Sequence, residues 1–346
     1  MTVAAPTIGQ LASQPRLRFW LQLAFWAGIA AILLALTGVQ FGAAATISIL
    51  AITITKATPL TLGALAGISC ERSGVVNIGI EGMMLTAAFT GFMTGVYSHN
   101  LAIALVAAIA SGGLMALLHA VLSITFRVDQ IISGTVVNIL AVGLTGYLNR
   151  QLFTTGAPAG QSVLPPIPFG PLSQIPWIGP IVFQQKPIAL TAIVLVFVVH
   201  FALFRTRWGL RTRAVGEHPL AADTLGVNVN ALRYFNVVLG GALAGLGGAY
   251  FTLESVPHFE ALMTNGRGFI ALAAMIFGKW TPFGAWGAAL LFGVAEAIPT
   301  AMQLQGINVP FQIVGLLPYV LTIVVVAGAV GRAVPPAADG QPYVRA

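Results

Sequence analysis

Two carboxylates lie inside stretches of the sequence that are otherwise apolar. Glu81 occurs in the segment 70–85, four residues after Asn77, and Glu296 stands in a later apolar run that also contains Pro299. A carboxylate within a bilayer is costly unless a partner group or a water-filled cavity accommodates it. If Asn77 and Glu81 belong to one helix, their spacing places both on one face. We therefore expect these side chains to line or gate a polar path, with a buried structural hydrogen bond as the alternative.

A second polar stretch, containing Ser133, Thr135 and Asn138, interrupts another apolar run. Serine and threonine often bond a carbonyl of their own helix, which is the favoured interpretation for Ser133 and Thr135. For Asn138 that kind of structural role and path lining are equally favoured, and we retain Ser133 and Asn138 as candidate path residues. Phe89 and Phe92 could stack on a planar ligand, although packing between helices is the more common use of such a pair.

The segment 217–226 predicts a short helix outside the membrane. Proline is tolerated in the first turn of a helix and glycine is favoured just beyond its end, and this segment has both. Its leucines form an apolar side that could insert into a groove on a partner protein, with acidic residues at the rim. A solvated or lipid-surface loop is an equally favoured alternative. The residues assigned to this segment are Glu217, Pro219, Leu220, Asp223, Leu225 and Gly226.

The chain around these residues has the composition of a membrane protein. Of its 346 residues, 57% are hydrophobic and only 7% are charged, against roughly 25% charged in a soluble domain. The net charge of +7 arises mainly from lysines and arginines between apolar runs, so it indicates membrane topology and not a nucleic-acid partner. We therefore expect one all-α domain, a polytopic helical bundle in a lipid bilayer.

About ten apolar runs follow one another along the chain, and a membrane-spanning helix needs about 20 residues. The run 268–279 is too short to cross and predicts a half-helix or a re-entrant piece. The runs are 19–39, 45–70, 74–97, 101–126, 130–152, 187–205, 233–253, 268–279, 284–300 and 311–331.

Positive residues are distributed unequally between the two sides of this bundle. Arg150, Lys186 and Arg267 fall on one side, Lys56 falls inside a run, and the other twelve lysines and arginines fall opposite. By the positive-inside rule, both termini are cytoplasmic. The chain then divides into a cytoplasmic N-terminal extension (1–18), a transmembrane domain (19–331) with an external loop (154–186) and a cytoplasmic loop (205–233), and a cytoplasmic C-terminal tail (332–346).

The sequence lacks the motifs of several chemistries. It contains no Gly-x-x-x-x-Gly-Lys-Ser/Thr loop for nucleotide phosphates and no His-Glu-x-x-His motif for zinc. The single cysteine, Cys70, can form neither an intramolecular disulfide nor a cysteine-based metal site, and its position at an inner turn predicts a place near the cytoplasmic surface. We therefore expect a transporter and not an enzyme, with no cofactor in this chain.

A glycine pentad occurs twice in the apolar runs. Gly63-Ala-Leu-Ala-Gly67 recurs as Gly241-Ala-Leu-Ala-Gly245, in two runs that the topology orients in opposite directions. An inverted repeat would produce this pattern, as would the small residues that are common at helix contacts. The second explanation is favoured.

The segment Glu71–Leu85, which reads Glu-Arg-Ser-Gly-Val-Val-Asn-Ile-Gly-Ile-Glu-Gly-Met-Met-Leu, resembles the permease subunits of bacterial ABC importers of the branched-chain amino acid, ribose and simple-sugar superfamily. Within that superfamily it is similar to the nucleoside-type permeases. The segments 214–229 and 266–278 resemble the family's cytoplasmic coupling segment and its late re-entrant-like segment.

This resemblance implies a translocation path for nucleosides or a related ribose-containing or simple-sugar solute, in the bacterial inner membrane. It implies coupling through 217–226 to an ABC ATPase subunit, which would carry the ATP and Mg. It also implies a second permease subunit, either a paralogue or a second copy, and an extracytoplasmic substrate-binding protein.

Two other classes of protein are weighed against this one. In an ion-coupled secondary transporter, Glu81 and Glu296 would be the proton or cation sites. An intramembrane enzyme would need a catalytic cluster, and the sequence shows none.

Overall fold

Helices form the regular structure of the protein, as expected for an all-α chain. The computed structural model describes residue 44 and residues 46–153, 163–304, 316 and 333–344, and none of these residues lies in a β-strand. The α-helices in these residues are α1 (Thr46–Glu71), α2 (Ile80–Ser98), α3 (Leu101–Ala120), α4 (Gln130–Leu152), α5 (Pro187–Arg205), α6 (Arg207–Glu217), α7 (Pro219–Thr224), α8 (Val229–Ala249), α9 (Arg267–Phe277) and α10 (Pro282–Leu304).

Four short helical turns complete the described segments. π-helical turns at Val121–Thr125 and Tyr250–Ser255 extend α3 and α8, and the part of the external loop that is described contains Gly170–Gln174 and Gly179–Phe183. The predicted extension 1–18 and the predicted runs 19–39 and 311–331 lie outside the described residues, apart from residue 316.

In the described part of the chain, six helices are long and apolar enough to cross a membrane. They are α1, α4, α5 and α10, and α3 and α8 together with the π-helical turns that extend them. Helix α9 has 11 residues, about 16 Å of helix, so it is too short to cross a bilayer, as the run 268–279 predicts. The prediction of about ten spans and of two cytoplasmic termini is not confirmed by the described residues.

Helix α2 begins later than the sequence indicates. Between α1 and α2 the chain forms a largely buried, non-helical turn, in which Gly74 has a left-handed conformation (φ 83°). A Cβ at this glycine would lie 2.7 Å from Nη2 of Arg233, so a larger residue does not fit. The predicted run 74–97 is therefore helical only from Ile80, and Asn77 precedes the helix.

Helix α2 lies inside the bundle, where it packs against α3, α4, α8 and α9. Twelve of its 19 residues are buried. Helices α3, α4 and α5 instead expose large apolar side chains, as lipid-facing helices and subunit interfaces do. The start of α2, with Glu81, is therefore enclosed by other helices.

Both glycine pentads lie at helix contacts. A Cβ on Gly63 of α1 would lie 2.7 Å from Cβ of Ala271 on α9, and one on Gly241 of α8 would lie 2.6 Å from the carbonyl oxygen of Gly112 on α3. Both pentads therefore allow neighbouring helices to approach closely, as small residues do at helix contacts.

The loop 205–233 is mostly helical, and the sequence interpretation missed its first helix, α6. The hydroxyl of Thr206 accepts a hydrogen bond from the amide of Gly209 and caps α6. The predicted short helix is α7, which begins at Pro219 and is followed by Gly226 at φ 82°.

The described part of the C-terminal tail lies on the same side of the bundle as α6. The amide of Ala338 donates to the carbonyl of Gly216 at 2.9 Å. This contact agrees with the predicted topology, in which the tail and the loop 205–233 share one side.

Cys70 lies at the end of α1, beside the predicted inner turn, but its side chain is fully buried. A Cβ on Gly240 of α8 would lie 2.6 Å from its Sγ atom. Labelling of Cys70 would therefore not report the topology, and its predicted place near the cytoplasmic surface stays a prediction.

Candidate functional site

Glu81 is the second residue of α2, and its carboxylate joins this helix to the start of α9. Oε1 accepts hydrogen bonds from the hydroxyl of Thr264 at 2.6 Å and from the amide of Gly266 at 2.8 Å. Oε2 accepts one from the amide of Gly268 at 2.6 Å. Three donors therefore hold the carboxylate between two helix N-termini.

The electrostatics of helix ends explain why a carboxylate is stable at this junction. The first amides of a helix have no partner within it, and the helix dipole gives its N-terminus a partial positive charge. A Cβ on Gly268 would lie 2.5 Å from Cα of Glu81, so a glycine is required for the helices to approach this closely. Glu81 thus has a structural role that the sequence interpretation gave only as its alternative.

Asn138 on α4 is hydrogen-bonded to the same end of α2. Its Oδ1 accepts from the amide of Gly82 at 2.7 Å, and its Nδ2 donates to the carbonyl of Ile78 at 3.0 Å. The amide side chain therefore pairs with one donor and one acceptor of the α2 start.

A cavity of about 400 Å³ opens beside Glu81 and Asn138. This volume lies within the range of about 300–1,000 Å³ that is usual for small-molecule sites. Phe269 of α9 reaches it and is 48% exposed. The cavity is lined by Glu81, Gly82, Leu85, Asn138, Ile139, Val142, Leu262, Asn265, Gly266 and Phe269.

Asn77 and Ser133 do not line this cavity. Asn77 is fully buried and its Oδ1 accepts from the amide of Gly79 at 3.0 Å, within the turn before α2. The predicted face shared by Asn77 and Glu81 is wrong, because only Glu81 is helical. Ser133 is also buried, and its hydroxyl is bonded to Nδ1 of His119 at 2.9 Å.

Glu296 of α10 approaches the start of α9 from another direction. Its Oε2 lies 3.2 Å from Nη2 of Arg267, the first residue of α9, and both side chains are partly buried. The two predicted carboxylates therefore contact neighbouring residues of α9, Glu81 at Gly268 and Glu296 at Arg267. Neither Glu81 nor Glu296 is left without a partner.

The residues of the segment 217–226, which is predicted to couple to a partner, lie on the side of the bundle that carries the tail. Leu220 and Leu225 are 57% and 85% exposed, as an apolar docking surface would be. Oε2 of Glu217 accepts from the amide of Ala337 at 3.2 Å. Asp223, with Gly226, lines a surface cavity of about 460 Å³.

Several residues of the junction were missed from the sequence. Thr264, Asn265 and Phe269 lie in or beside the segment 266–278, whose glycines marked it as re-entrant. Thr264 bonds Glu81 across 183 residues of sequence, and Asn265 and Phe269 line the cavity beside it. The two phenylalanines that were considered, Phe89 and Phe92, are buried in the core. In the part of the chain that the structure describes, no three His, Cys, Asp or Glu side chains form a metal-binding group.

The amino-acid sequence matches a known family of proteins. The family model described as "Branched-chain amino acid transport system / permease component" matches residues 49–326. The guanosine ABC transporter permease NupQ of Bacillus subtilis is 41% identical over 85% of this chain and 95% of its own. The nucleoside ABC transporter permease NupC of Lactococcus lactis is 40% identical, with coverage of 83% and 94%.

A third relative has a different named substrate. The putative glucose ABC transporter permease TsgC13 of Haloferax volcanii is 36% identical over 81% of this chain and 91% of its own. No solved structure matches the chain. The comparisons give the ion-coupled alternative no support.

Replacing Glu81 by alanine should destabilise the junction as well as reduce transport. The amides of Gly266 and Gly268 would lose their acceptor, and a buried unsatisfied donor costs about 1–3 kcal/mol. We expect a lower melting temperature of the detergent-solubilised protein. Glu260→Ala is the control, because this neighbouring carboxylate is 72% exposed and its bond is to His258. Equal melting temperatures for Glu81→Ala and Glu260→Ala would contradict the structural role.

Proposed function

The chain belongs to the family of permease components of the branched-chain amino acid transport system, and we propose that it forms the translocation path of an ATP-driven importer for nucleosides. A related ribose-containing solute or a simple sugar is the alternative cargo. The observation that carries the proposal is the identity of 40% or more, over more than four-fifths of the chain, to relatives named as guanosine and nucleoside permeases. The glucose relative is the reason for retaining sugars.

The protein is an integral membrane protein, and the energy for transport must come from another subunit. Its sequence has no phosphate-binding loop, so we assign ATP and Mg to an ABC ATPase. The exposed Leu220 of α7 and Leu225, directly after it, support this assignment, because a helix with apolar anchors fits a groove on a partner. We place this helix, the loop 205–233 and the tail in the cytoplasm, and the loop 154–186 outside the cell, which follows the positive-inside rule.

The rest of the assembly is proposed from the family. A second permease subunit, identical or paralogous, would cover the exposed apolar faces of the bundle, and an extracytoplasmic binding protein would deliver the solute. The transmembrane domain of residues 19–331 would then contain the path, flanked by the short extensions 1–18 and 332–346.

The cavity between α2, α4 and α9 is our candidate for part of the translocation path. It offers an aromatic ring, Phe269, together with the polar side chains of Asn138 and Asn265, in a mainly apolar wall. A nucleobase is planar and can stack on a ring, while its polar edge can bond an amide side chain. Few polar contacts suit a site that must release its solute after each cycle, because binding there has to remain weak.

Replacing Leu220 of α7 and Leu225, directly after it, tests the coupling to an ATPase. Burying a leucine is worth about 1.5–3 kcal/mol, so Leu220→Ser combined with Leu225→Ser should weaken docking by tenfold or more, about 1.4 kcal/mol per factor of ten. We expect less ATPase to co-purify, and uptake of labelled nucleoside to fall. Leu172→Ser, an exposed leucine in the loop on the opposite side, is the control. Normal co-purification and substrate-stimulated ATP hydrolysis in the double variant would contradict the coupling role of α7.

Replacing Phe269 tests the solute path. Phe269→Leu keeps the apolar contact but removes the ring, whose stacking contributes about 0.5–1.5 kcal/mol. Nucleoside uptake should therefore fall roughly two- to tenfold, and Phe269→Tyr should retain it. Ile276→Ala on the same helix is partly exposed but outside the cavity, so it serves as the control. A panel of labelled nucleosides and sugars identifies the cargo, and unchanged uptake of every transported solute by Phe269→Leu would exclude this cavity.

A further inference from the structure

Residues 333–344, here called the clasp, contact elements that lie far apart in the sequence. At the end of α6, the amide of Ala338 donates to the carbonyl of Gly216 at 2.9 Å. The amide of Ala337 donates to Oε2 of Glu217 at 3.2 Å. The clasp is therefore fixed to the helix that leads directly into the coupling helix α7.

Arg233 of α8 joins the clasp to the turn between α1 and α2. Its side chain is nearly fully buried, at 2% exposure. Nε donates to the carbonyl of Ser73 in the turn at 3.0 Å, and Nη1 donates to the carbonyl of Gln341 in the clasp at 3.0 Å. Because a buried charge is costly when it loses its hydrogen bonds, Arg233 holds the turn and the clasp to one side chain.

A pair of carboxyl groups forms a second link. The carboxyl group of Asp339 in the clasp lies beside that of Glu71, the last residue of α1, within reach of a hydrogen bond if one of the two is protonated. Two carboxyl groups can bond each other only if they hold a proton between them. Burial raises the pKa of Asp339 to about 7, against the lowering effects of the contact with Glu71 and of the charge on Arg233, which favours the protonated form that such a bond needs.

An apolar contact connects the end of the clasp to helices α6, α7 and α8. Tyr343 is buried in a small cluster with Val215 of α6, Ala222 of α7 and Val229 of α8. The clasp therefore contacts α6, α7 and α8, as well as the turn that leads into Glu81.

We infer that the clasp transmits movement of the α6–α7 pair to the start of α2, with Asp339 and Arg233 as positioning residues for transport. This inference depends on the proposed function, since it concerns the step between ATP hydrolysis and opening of the path. A displacement of α6 and α7 by the ATPase would pull the clasp, and through Glu71 and Arg233 it would pull the turn before α2. The junction at Glu81 lies at the other end of that turn.

Transport per ATP hydrolysed is the measurement that tests the clasp. The full complex with its ATPase is reconstituted in proteoliposomes, and uptake of labelled nucleoside and ATP hydrolysis are measured together. Asp339→Ala should keep the complex assembled and ATP hydrolysis active, while uptake per ATP falls roughly fivefold or more, the lower end of typical coupling between sites. Asp339→Asn should recover the ratio, because its amide can donate to Glu71.

The control for the clasp is Val334→Ser, which changes an exposed residue of the same segment. A wild-type ratio in Asp339→Ala would overturn the inference. So would uptake and hydrolysis that fall together, or a complex that fails to assemble, because each of these results would mean a merely structural role. Failure of the proposed function would look different, since the wild-type chain itself would then bind no ATPase.

Discussion

A helix that begins inside a membrane protein leaves its first backbone amides without partners, and lipid makes each unpaired group costly. In the described bundle, side chains from other helices supply the missing acceptors. Glu81 of α2 accepts from the start of α9, and Asn138 of α4 accepts from the start of α2. Glu254, in the turn that extends α8, accepts from the amides of Ile188 and Ala189 at 2.6 and 3.1 Å at the start of α5.

This constraint links helices that would otherwise meet only through apolar contacts. Asn138 fixes α4 to α2, Glu81 fixes α2 to α9, and the ion pair of Arg267 with Glu296 fixes α9 to α10. The cavity lies where the first two of these links meet. A shift of α2 relative to α9 would therefore change the cavity and break hydrogen bonds at the same time, so we expect the cavity to have a small number of distinct arrangements and not a continuous range.

Local patterns predicted much of the fold but few of the contacts. The apolar runs located six long helices, the short run between glycines predicted α9, and proline with glycine predicted α7, because each of these signals is contained within one segment. The prediction of a helix over the whole run 74–97 was wrong before Ile80, and the reason is physical. Apolar composition cannot distinguish a buried turn from a helix, and the left-handed Gly74 packs against Arg233, which is distant in the sequence.

The candidate site shows the same limit more sharply. Glu81 and Asn138 could be selected from the sequence because polar residues in apolar runs are costly. Their partners could not, since Gly268 and Ile78 contribute backbone groups that every residue possesses. Glu81 is therefore a link between helix ends as well as a residue that lines the cavity.

Hydrogen exchange of the amides at the start of α9 tests this link most directly. Peptides that cover residues 256–277 are followed by mass spectrometry in the detergent-solubilised wild-type protein and in Glu81→Ala, with peptides from α8 as the internal reference. The structure predicts slow exchange at Gly266 and Gly268 in the wild type, and faster exchange in the variant that is confined to this region. Equal protection of these two amides in both proteins would contradict the account, because Glu81 would then not be the acceptor that holds α9.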